Sequence, residues 1–321
     1  MTMDRRSTHP SPSVDGAPEA SILVVGYRSK PYIERCLEGA LRASEGESVE
    51  ILFIDCSDDG SEAFVRERFP SVRVLGYRGN LGFARGNNVL AQEARGRKLL
   101  LLNPDAFAER DEIAALLRLS RARPDAQAWA GITILPDGSI DGGSIQPMLG
   151  AIPLLLALFG LAGLRPGAAD PKRREPQRVP VLTGAFMLVD AEVWRRLRGF
   201  DERFFMYAEE VDLCRRISDA GGALVCDPSI RLLHDTGSGE RRTPARMLNR
   251  ARGNATFYRK HFGPCWAACC CTLLLAHATS RFVFGSVTGR RGHADSFGAI
   301  VRRRGEWWSG WPEQPAAAGR A

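Results

Sequence analysis

The chain has 321 residues, of which 44% are hydrophobic and 25% are charged, as in an ordinary globular protein. Its net charge of +7 comes almost entirely from arginine and suits phosphate-bearing ligands, anionic lipid surfaces or nucleic acid. No zinc-finger spacing, RNA-binding signature or heptad zipper accompanies this charge, so we expect no nucleic-acid partner.

The N-terminus and the cysteines indicate the compartment. Residues 1–20 are polar and rich in Pro and Ser, which predicts a disordered segment, and they lack the apolar core of a signal peptide. None of the eight cysteines has CxxC or zinc-site spacing. We therefore expect free thiols, most of them in the core, and a cytoplasmic protein.

The predicted elements alternate between strand and helix. We predict strands at 21–27, 49–55, 72–77, 98–103 and 128–135, and helices at 31–43, 61–69, 82–96 and 110–122. This alternation predicts an α/β fold with a mostly parallel sheet and helices on both faces. No GxGxxG motif follows the first strand and no P-loop motif occurs, so neither type of phosphate loop is expected. Ligands of such sheets bind at the carboxyl ends of the strands.

Two apolar segments depart from this pattern. A predicted insert at 136–180 contains the apolar stretch 148–164, which is short for a membrane span and is broken by Pro153. The stretch is either a membrane-interface helix with a basic flank or a buried helical hairpin or lid. The tail, 264–321, combines an apolar run with arginines and tryptophans, which indicates either contact with an anionic membrane surface or a helix packed back on the domain. The main domain is predicted at 21–263.

A strand and a helix follow at 179–197, then a helix at about 207–220 and strands at 223–227 and 230–234. The motif FFMYAEEVDLCRR, in which the second of these helices begins, places three carboxylates in four positions.

On a helical wheel, Glu209 and Asp212 fall opposite or beside the apolar arc, whereas Glu210 lies inside it. Burial of a lone carboxylate is unfavourable, and it raises the pKa towards the range of a general base. Glu210 is therefore a candidate catalytic base, with a structural pair to a buried arginine as the alternative. We expect Asp212 to pair with Arg215 or Arg216.

Two further residues are candidate metal ligands. Asp105 comes two residues after Asn103, where Pro104 helps to end a strand. A carboxylate facing the crevice at a strand end suits Mg²⁺ or Mn²⁺, although it could instead cap the next helix. His234 ends the predicted strand at 230–234, and it is either a core histidine or, because the HDTGSG loop follows, a ligand-facing residue.

Several motifs occur in a fixed order along the chain. They are VVGYRS (24–29), IDCSDDGS (54–61), NLGFARGNN (80–88), LLLNPDA (100–106), LTGAFMLV (182–189), GFDERFFMYAEEVDLCRR (199–216), His234 and FYRKHFG (257–263). With these motifs the chain resembles the inverting glycosyltransferase family 2, which has the GT-A fold, and most of all its rhamnosyltransferase-like and galactofuranosyltransferase-like branch. The resemblance covers about residues 21–263.

The resemblance implies roles for individual residues. The implied nucleotide-sugar-binding residues are Tyr27, Arg28, Asp55, Asn80, Gly82, Arg85, Asn88 and Asn103. Asp105 stands where the family supplies its metal-binding aspartate, and His234 stands where some members add a histidine ligand. Glu210 occupies the place of the catalytic base, and Glu209 beside it is a second catalytic candidate.

Three positions depart from the family pattern. Arg28 stands where members usually have Asn, and Cys56 replaces a polar residue in the second motif. Glu210 stands in place of Asp, and its extra methylene moves the carboxylate by about one C–C bond, a shift that can matter for proton transfer.

The activity implied by the resemblance is transfer, with inversion, of a sugar from a nucleotide-diphosphate donor such as dTDP-rhamnose, a UDP-hexose or UDP-galactofuranose. It implies a divalent cation, Mg²⁺ or Mn²⁺, and a glycan or lipid-linked glycan acceptor in cell-surface polysaccharide synthesis. The two apolar segments suggest peripheral contact with the inner face of the membrane. A catalytically inactive sugar-nucleotide-binding or scaffold relative, and a polyprenyl-phosphate glycosyltransferase, are the alternatives.

Overall fold

A computed structural model of the chain describes residues 16–76, 79–161, 163–164, 166–235 and 243–312. The strands are β1 (Ala20–Gly26), β2 (Val49–Asp55), β3 (Arg73–Leu75), β4 (Lys98–Leu102), β5 (Ala106–Phe107), β6 (Ala128–Ile134), β7 (Gln177–Arg178), β8 (Phe186–Asp190) and β9 (Leu224–His234). The helices are α1 (Lys30–Ala43), α2 (Ser61–Arg68), α3 (Gly82–Glu93), α4 (Glu112–Ala122), α5 (Ala151–Leu158), α6 (Ala191–Arg196), α7 (Glu209–Asp219), α8 (Pro244–His261), α9 (Pro264–Val287) and α10 (Arg291–Arg302).

The strands form one sheet in the order β3-β2-β1-β4-β8-β6-β9-β5, with β7 paired to β9. Strands β1 to β4 run parallel to one another. Strand β8 lies antiparallel between β4 and β6, and β6 and β9 run in the same direction as β1 to β4. The predicted α/β class, with helices on a central sheet, is confirmed. The parallel half is the part that the buried apolar runs of the sequence predicted, because both of its faces are covered.

Successive side chains of β1 alternate between the two faces of the sheet, as the pleat of a strand requires. Leu23 and Val25 belong to an apolar cluster that also contains side chains of α3, α7 and α8. Ile22 and Val24 belong to a second cluster, with side chains of α1, α2 and α4. The sheet is therefore the middle layer of the core.

Strand β9 is longer than the sequence predicted, because the two predicted strands at 223–227 and 230–234 form one element. Proline has no backbone N–H to donate, and it interrupts most strands. Pro228 is tolerated because it falls where the pairing with β6 is irregular, between Cys226 and Arg231. This continuity carries the chain to His234 at the edge of the candidate site.

The exposure of helix α5 excludes one of the structures expected for the insert. None of its residues is buried, and Ile152 is 66% exposed, so the stretch is not a buried hairpin. Phe159, directly after the helix, is 74% exposed. α5 packs against α9. Among the described residues, α9 is the one helix long and apolar enough to cross a membrane, judged by length and composition alone.

The tail packs back on the domain. α10 contacts α8 and α9, and Trp307 is fully buried, with its Nε1–H donating to the carbonyl oxygen of Ile300 at 2.8 Å. The expectation of a tryptophan at a membrane surface is therefore wrong for Trp307. The division of the chain at 263/264 stays a prediction, and the predicted disorder of 1–20 falls mainly on residues 1–15, which lie outside the described residues.

One buried carboxylate joins α7 to the end of α8. Asp212 is fully buried. Its oxygens accept hydrogen bonds from Arg216 at 2.8 Å and from His261 at 2.7 Å, and they lie 2.6 Å from Nζ of Lys260. Burial alone would raise the pKa of Asp212, but these three neighbours hold it below its usual range. The predicted pair with Arg216 is present, although the wheel placed Asp212 outside the apolar arc.

Asp212→Asn should lower the free energy of unfolding by about 3–5 kcal/mol at pH 7, because it leaves buried cations without their counter-charge. Urea denaturation measures this. The loss should shrink at acid pH, since the stability contributed by a carboxylate with a lowered pKa disappears as the pH falls through that pKa. Asp219→Asn is the matched control: its partner, Arg215, is on the same helix, the pair is at the surface, and we expect a change below about 1 kcal/mol. Equal losses in the two variants would contradict the account.

Candidate active site

The carboxyl ends of β1 and β2 form one edge of the candidate site. Gly26 and Asp55, the last residues of the two strands, are aligned in the parallel register. Tyr27 follows and is 46% exposed, and the guanidinium of Arg28 lies 5.6 Å from the centre of its ring. An exposed aromatic ring next to a strand end offers a surface on which a nucleotide base can stack. The role of Tyr27 and Arg28 in base binding stays a prediction.

Asp55 shapes the loop after β2. It is buried, and its Oδ1 accepts from the backbone N–H of Ser57 at 2.8 Å while Oδ2 accepts from that of Glu62 at 3.3 Å. Burial raises the pKa of Asp55 in spite of these bonds. Cys56 is buried in the core, so this departure from the family pattern removes no group that faces the crevice. Contact of Asp55 with a base stays a prediction.

The NLGFARGNN motif forms a loop and the start of α3. Oδ1 of Asn80 accepts from the N–H of Gly82 at 3.1 Å. Gly82 has a φ of +72°, and a Cβ there would lie 2.4 Å from the carbonyl oxygen of Phe205, so only glycine fits. The N–H of Phe83 donates to that same oxygen at 3.0 Å. The loop is thus fastened to the chain just before α7.

Two predicted ligand residues of α3 are engaged with the protein. The amide of Asn88 donates to the carbonyl oxygen of Phe200 at 2.9 Å and accepts from its N–H at 2.9 Å. Arg85 lies 3.6 Å from a carboxylate oxygen of Glu202. These contacts position residues 199–202 against α3. Binding of the sugar nucleotide by Arg85 and Asn88 stays a prediction.

The predicted metal ligands lie side by side. Ala106 of β5 pairs with His234 of β9, and this places Asp105 beside the imidazole. Oδ1 of Asp105 is 3.2 Å from Nε2 of His234, and Nδ2 of Asn103 is 3.4 Å from the same nitrogen. On the other side of the ring, Nδ1 lies 3.2 Å from Oδ2 of Asp141. Burial alone would lower the pKa of His234, but the two carboxylates outweigh it and raise the pKa to about 9.

The residues present fit a divalent cation. Two ligand atoms about 2.1 Å from one ion, at the right angle of octahedral geometry, are roughly 3.0 Å apart. Oδ1 of Asp105 and Nε2 of His234 are 3.2 Å apart. Oδ1 of Asn103 is buried there without a hydrogen-bond partner. The described residues contain no group of three or more His, Cys, Asp or Glu side chains arranged to hold a metal. Two protein ligands suffice where substrate phosphates supply the rest.

The two glutamates follow a strained turn. Tyr207 and Ala208 have φ angles of 68° and 71°, and α7 begins at the next residue. Left-handed backbone costs about 1–2 kcal/mol for each non-glycine residue. Helix α8 supports the turn at close range, because a Cβ on Gly253 would lie 2.2 Å from the carbonyl oxygen of Tyr207. Strain of this kind is common where catalytic side chains must be held in place.

Burial of the two glutamates differs from the wheel prediction. Glu209 is 5% exposed and Glu210 is half-buried, although the wheel placed only Glu210 in the apolar arc. The wheel was wrong because α7 is covered on more than one side. Oε1 of Glu210 accepts from Gln146 at 3.4 Å. The Oε2 atoms of both glutamates are buried without a hydrogen-bond partner. The alternative, a structural pair of Glu210 with a buried arginine, is absent among the described residues.

The environment favours the protonated form of both groups. Burial raises the pKa of Glu209 well above its usual range, and the charge of Glu210 adds to the effect. Burial also raises the pKa of Glu210, in spite of opposing contributions from the start of α7, from Gln146 and from the charge of Arg250. A carboxylate with a raised pKa is a stronger base than an ordinary glutamate once it is ionised.

Residues 183–185 lie close to Asn103 and to Glu210. The N–H of Asn103 donates to the carbonyl oxygen of Ala185 at 3.0 Å. A Cβ on Gly184 would lie 3.5 Å from Cβ of Glu210. Asn103 and Glu210 therefore both lie next to this short segment, and Asp105 follows two residues after Asn103. A shared crevice for Asp105 and Glu210 stays a prediction.

Two site residues were missed from the sequence. Asp141 contacts His234, and Gln146 contacts Glu210, and both come from the insert that broke the βα pattern. The DGSIDGG motif at 137–143 was a signal for a tight turn, but nothing in it indicated which residue the turn would meet.

The sequence matches a known family and known proteins. Residues 21–197 match the family described as Glycosyl transferase family 2. The N-acetylglucosaminyl-diphospho-decaprenol L-rhamnosyltransferase of Mycobacterium tuberculosis strain H37Rv is 32% identical over 243 residues, which cover 71% of this chain and 79% of that protein. Rhamnosyltransferase WbbL of Escherichia coli strain K12 is 25% identical over 224 residues, which cover 66% and 82% of the two chains.

Solved structures share the fold. The mannosyltransferase PcManGT from Pyrobaculum calidifontis, in complex with GDP-Man and Mn²⁺, is similar with a TM-score of 0.60 and 16% identity, over 95% of this chain and 91% of that one. GalNAc-T7 with UDP, GalNAc and Mn²⁺ has a TM-score of 0.52 and 16% identity, over 74% of this chain and 48% of that one. The fold, the ordered motifs and the sequence match agree, and the chain belongs to glycosyltransferase family 2, with the α/β GT-A fold.

Proposed function

We propose that this transferase moves a sugar, with L-rhamnose the first candidate, from a nucleotide-diphosphate donor to a lipid-linked glycan on the cytoplasmic face of a membrane. The names of both relatives support rhamnose as the sugar, and the name of the Mycobacterium relative supports a lipid-linked acceptor. The observation that carries the catalytic part is the position of Glu210, which lies against Gly184, next to the residue that accepts the N–H of Asn103.

In the proposed mechanism Glu210 accepts a proton from the acceptor hydroxyl. Its raised pKa keeps it basic enough for the task, and its position at the start of α7 stabilises the ionised form. Gln146 fixes the orientation of Oε1. The acceptor oxygen then attacks the anomeric carbon from the side opposite the leaving diphosphate, so the configuration inverts. Glu209 touches no substrate in this scheme and stays protonated beside the ionised base.

Asp105 and His234 would hold the divalent cation, with Asn103 beside them. A bound cation supplies charge neutralisation for the departing diphosphate. The nitrogen of His234 favours Mn²⁺ over Mg²⁺, because Mg²⁺ takes mostly oxygen ligands in proteins.

The proposed membrane contact uses the exposed apolar surface of α5 and α9. Ile152 and Phe159 are 66% and 74% exposed, and Val287 at the end of α9 is 81% exposed. Arg290 and Arg291, directly beyond α9, are exposed and suit anionic lipid headgroups. Gln146, which touches Glu210, is five residues before α5, so a lipid-linked acceptor held at this surface would have its sugar near the base.

Glu210→Gln should lower nucleotide release by at least about 100-fold, because the amide cannot accept the proton. The assay offers dTDP-rhamnose, UDP-hexoses and UDP-galactofuranose in turn, with a short-chain polyprenyl-diphosphate N-acetylglucosamine as acceptor and Mn²⁺ present. Glu210→Asp, which restores the usual carboxylate of the family, is the matched control and should retain activity.

The same assay separates the alternatives. If no donor is consumed faster than without protein, the transferase activity is contradicted and an inactive binding relative is favoured. If the product mass shows the sugar attached directly to a lipid phosphate, the chain is a polyprenyl-phosphate glycosyltransferase.

The activity should fall on acidification at a higher pH than an ordinary glutamate would give. A base works only when it is ionised, so activity is lost as the pH falls through the raised pKa of Glu210. Glu209, whose pKa is raised further, stays protonated and uncharged over this range, so Glu209→Gln, which resembles the protonated form, should leave the acid limb where it is. Profiles of kcat against pH for the two proteins measure this. A move of the acid limb to lower pH in Glu209→Gln would show that Glu209 is ionised and would contradict the account.

Ile152→Asp combined with Phe159→Asp should weaken binding to vesicles of phosphatidylglycerol by at least about 10-fold, because each large apolar side chain contributes about 1.5–3 kcal/mol when buried. Co-sedimentation measures this. Leu41→Asp is the matched control, since Leu41 is an exposed apolar residue of α1. Equal binding of all three proteins to the vesicles would rule out this surface as the membrane contact.

A further inference from the structure

Asp141 is a carboxylate of the site that the proposed reaction does not use. It lies in a hairpin after β6, in which the N–H of Leu135 donates to the carbonyl oxygen of Ser139 at 2.8 Å. The N–H of Asp141 donates to the carbonyl oxygen of Thr133 at 2.9 Å. The hairpin therefore folds the DGSIDGG segment back along the end of β6 and points one carboxylate at His234.

The carboxylate of Asp141 is held in one orientation. Its Oδ1 accepts from the N–H of Gly143 at 3.0 Å, and its Oδ2 accepts from Oγ1 of Thr133 at 3.1 Å. Thr133 is fully buried, so this bond does not compete with solvent. The same Oδ2 lies 3.2 Å from Nδ1 of His234. A carboxylate fixed by two donors presents its remaining acceptor capacity in a set direction.

We propose that Asp141 is a positioning residue, which keeps the proton of neutral His234 on Nδ1 and so aims the lone pair of Nε2 at the place beside Asp105. The inference rests on the cation of the proposed function. A carboxylate on Nδ1 fixes both the tautomer and the rotation of an imidazole, and it makes the other nitrogen a better ligand. An Nε2 lone pair and a carboxylate oxygen, both acceptors, face each other favourably at 3.2 Å only with a positive charge between them.

The competing interpretation is that the three residues form a structural link between the ends of β4, β6 and β9. In that case Nε2–H would donate to Asp105, and the tautomer would be the opposite one. The tautomer of His234 therefore separates a positioning role from a structural one, without reference to turnover.

The test compares the full chain with Asp141→Ala, Asp141→Asn and Asp137→Ala. Asp137 is in the same hairpin and holds Ser139, so Asp137→Ala measures any loss that comes from the hairpin alone. Mn²⁺ binding is followed by electron paramagnetic resonance of the free ion in the presence of UDP. Long-range ¹H–¹⁵N spectra of the metal-free protein report the imidazole tautomer at about pH 10, where most of the ring is neutral because the pKa of His234 is about 9. His234 is identified by the signals that vanish in His234→Gln.

We expect wild type to show the Nδ1–H form, and Asp141→Ala to lose it and to bind Mn²⁺ about 10–100-fold more weakly. Asp141→Asn keeps an acceptor oxygen, so it should recover part of the Nδ1–H form and part of the Mn²⁺ affinity. Asp137→Ala should resemble wild type in both measurements. An Nε2–H form in wild type, equal losses in Asp137→Ala, or no Mn²⁺ binding by wild type would overturn the inference. Nucleotide release in the absence of added metal would be measured separately, so the transferase proposal could survive any of these results.

Discussion

Burial of two adjacent glutamates at the start of α7 is the constraint on which the rest of the structure depends. Each leaves a carboxylate oxygen without a hydrogen-bond partner, and burial raises the pKa of both because two ionised groups would repel strongly where water is excluded. The left-handed turn before them adds strain. The opposing stability comes from one turn further along the helix, where Asp212 is surrounded by Arg216, Lys260 and His261. The FYRKHFG motif, of which the last two are part, thus has a physical role in holding the helix that carries the proposed base.

The antiparallel strand β8 explains why residues 183–185 lie beside Asn103. An antiparallel strand begins beside the end of its neighbour, so residues 183–185, before β8, come to lie next to Asn103, after β4. The sequence was sufficient to predict the parallel half: β2 was expected at 49–55 and is observed there, because a buried strand is a short, continuous apolar run. It was not sufficient to predict the antiparallel position of β8, since the same kind of run suits either direction.

The candidate site residues that could be predicted from the sequence are those at which the local pattern and the family motif agree. The residues that reach the site from a distant segment of the chain could not be predicted. Glu210, Asp105 and His234 ended predicted elements or stood out in them, and the structure places Asp105 beside His234 and Glu210 beside Gly184. Asp141 and Gln146 reach the site across 93 and 64 residues of chain, and no periodicity records such a contact. The wheel described α7 as an isolated helix, so it could not anticipate that α8 would cover the side on which it placed Glu209 and Asp212.

The contact made by Trp311 ties the tail to the segment before α7. Its Nε1–H donates to the carbonyl oxygen of Met206 at 3.0 Å, and its ring packs 5.4 Å from that of Phe205. The carbonyl oxygen of Phe205 in turn accepts the N–H of Phe83 at the start of α3. The segment that leads to Glu209 and Glu210 is therefore held by a residue 105 positions beyond Met206. A contact between residues so far apart in the chain closes a long loop, so it forms late in folding, after the tail has packed on the domain.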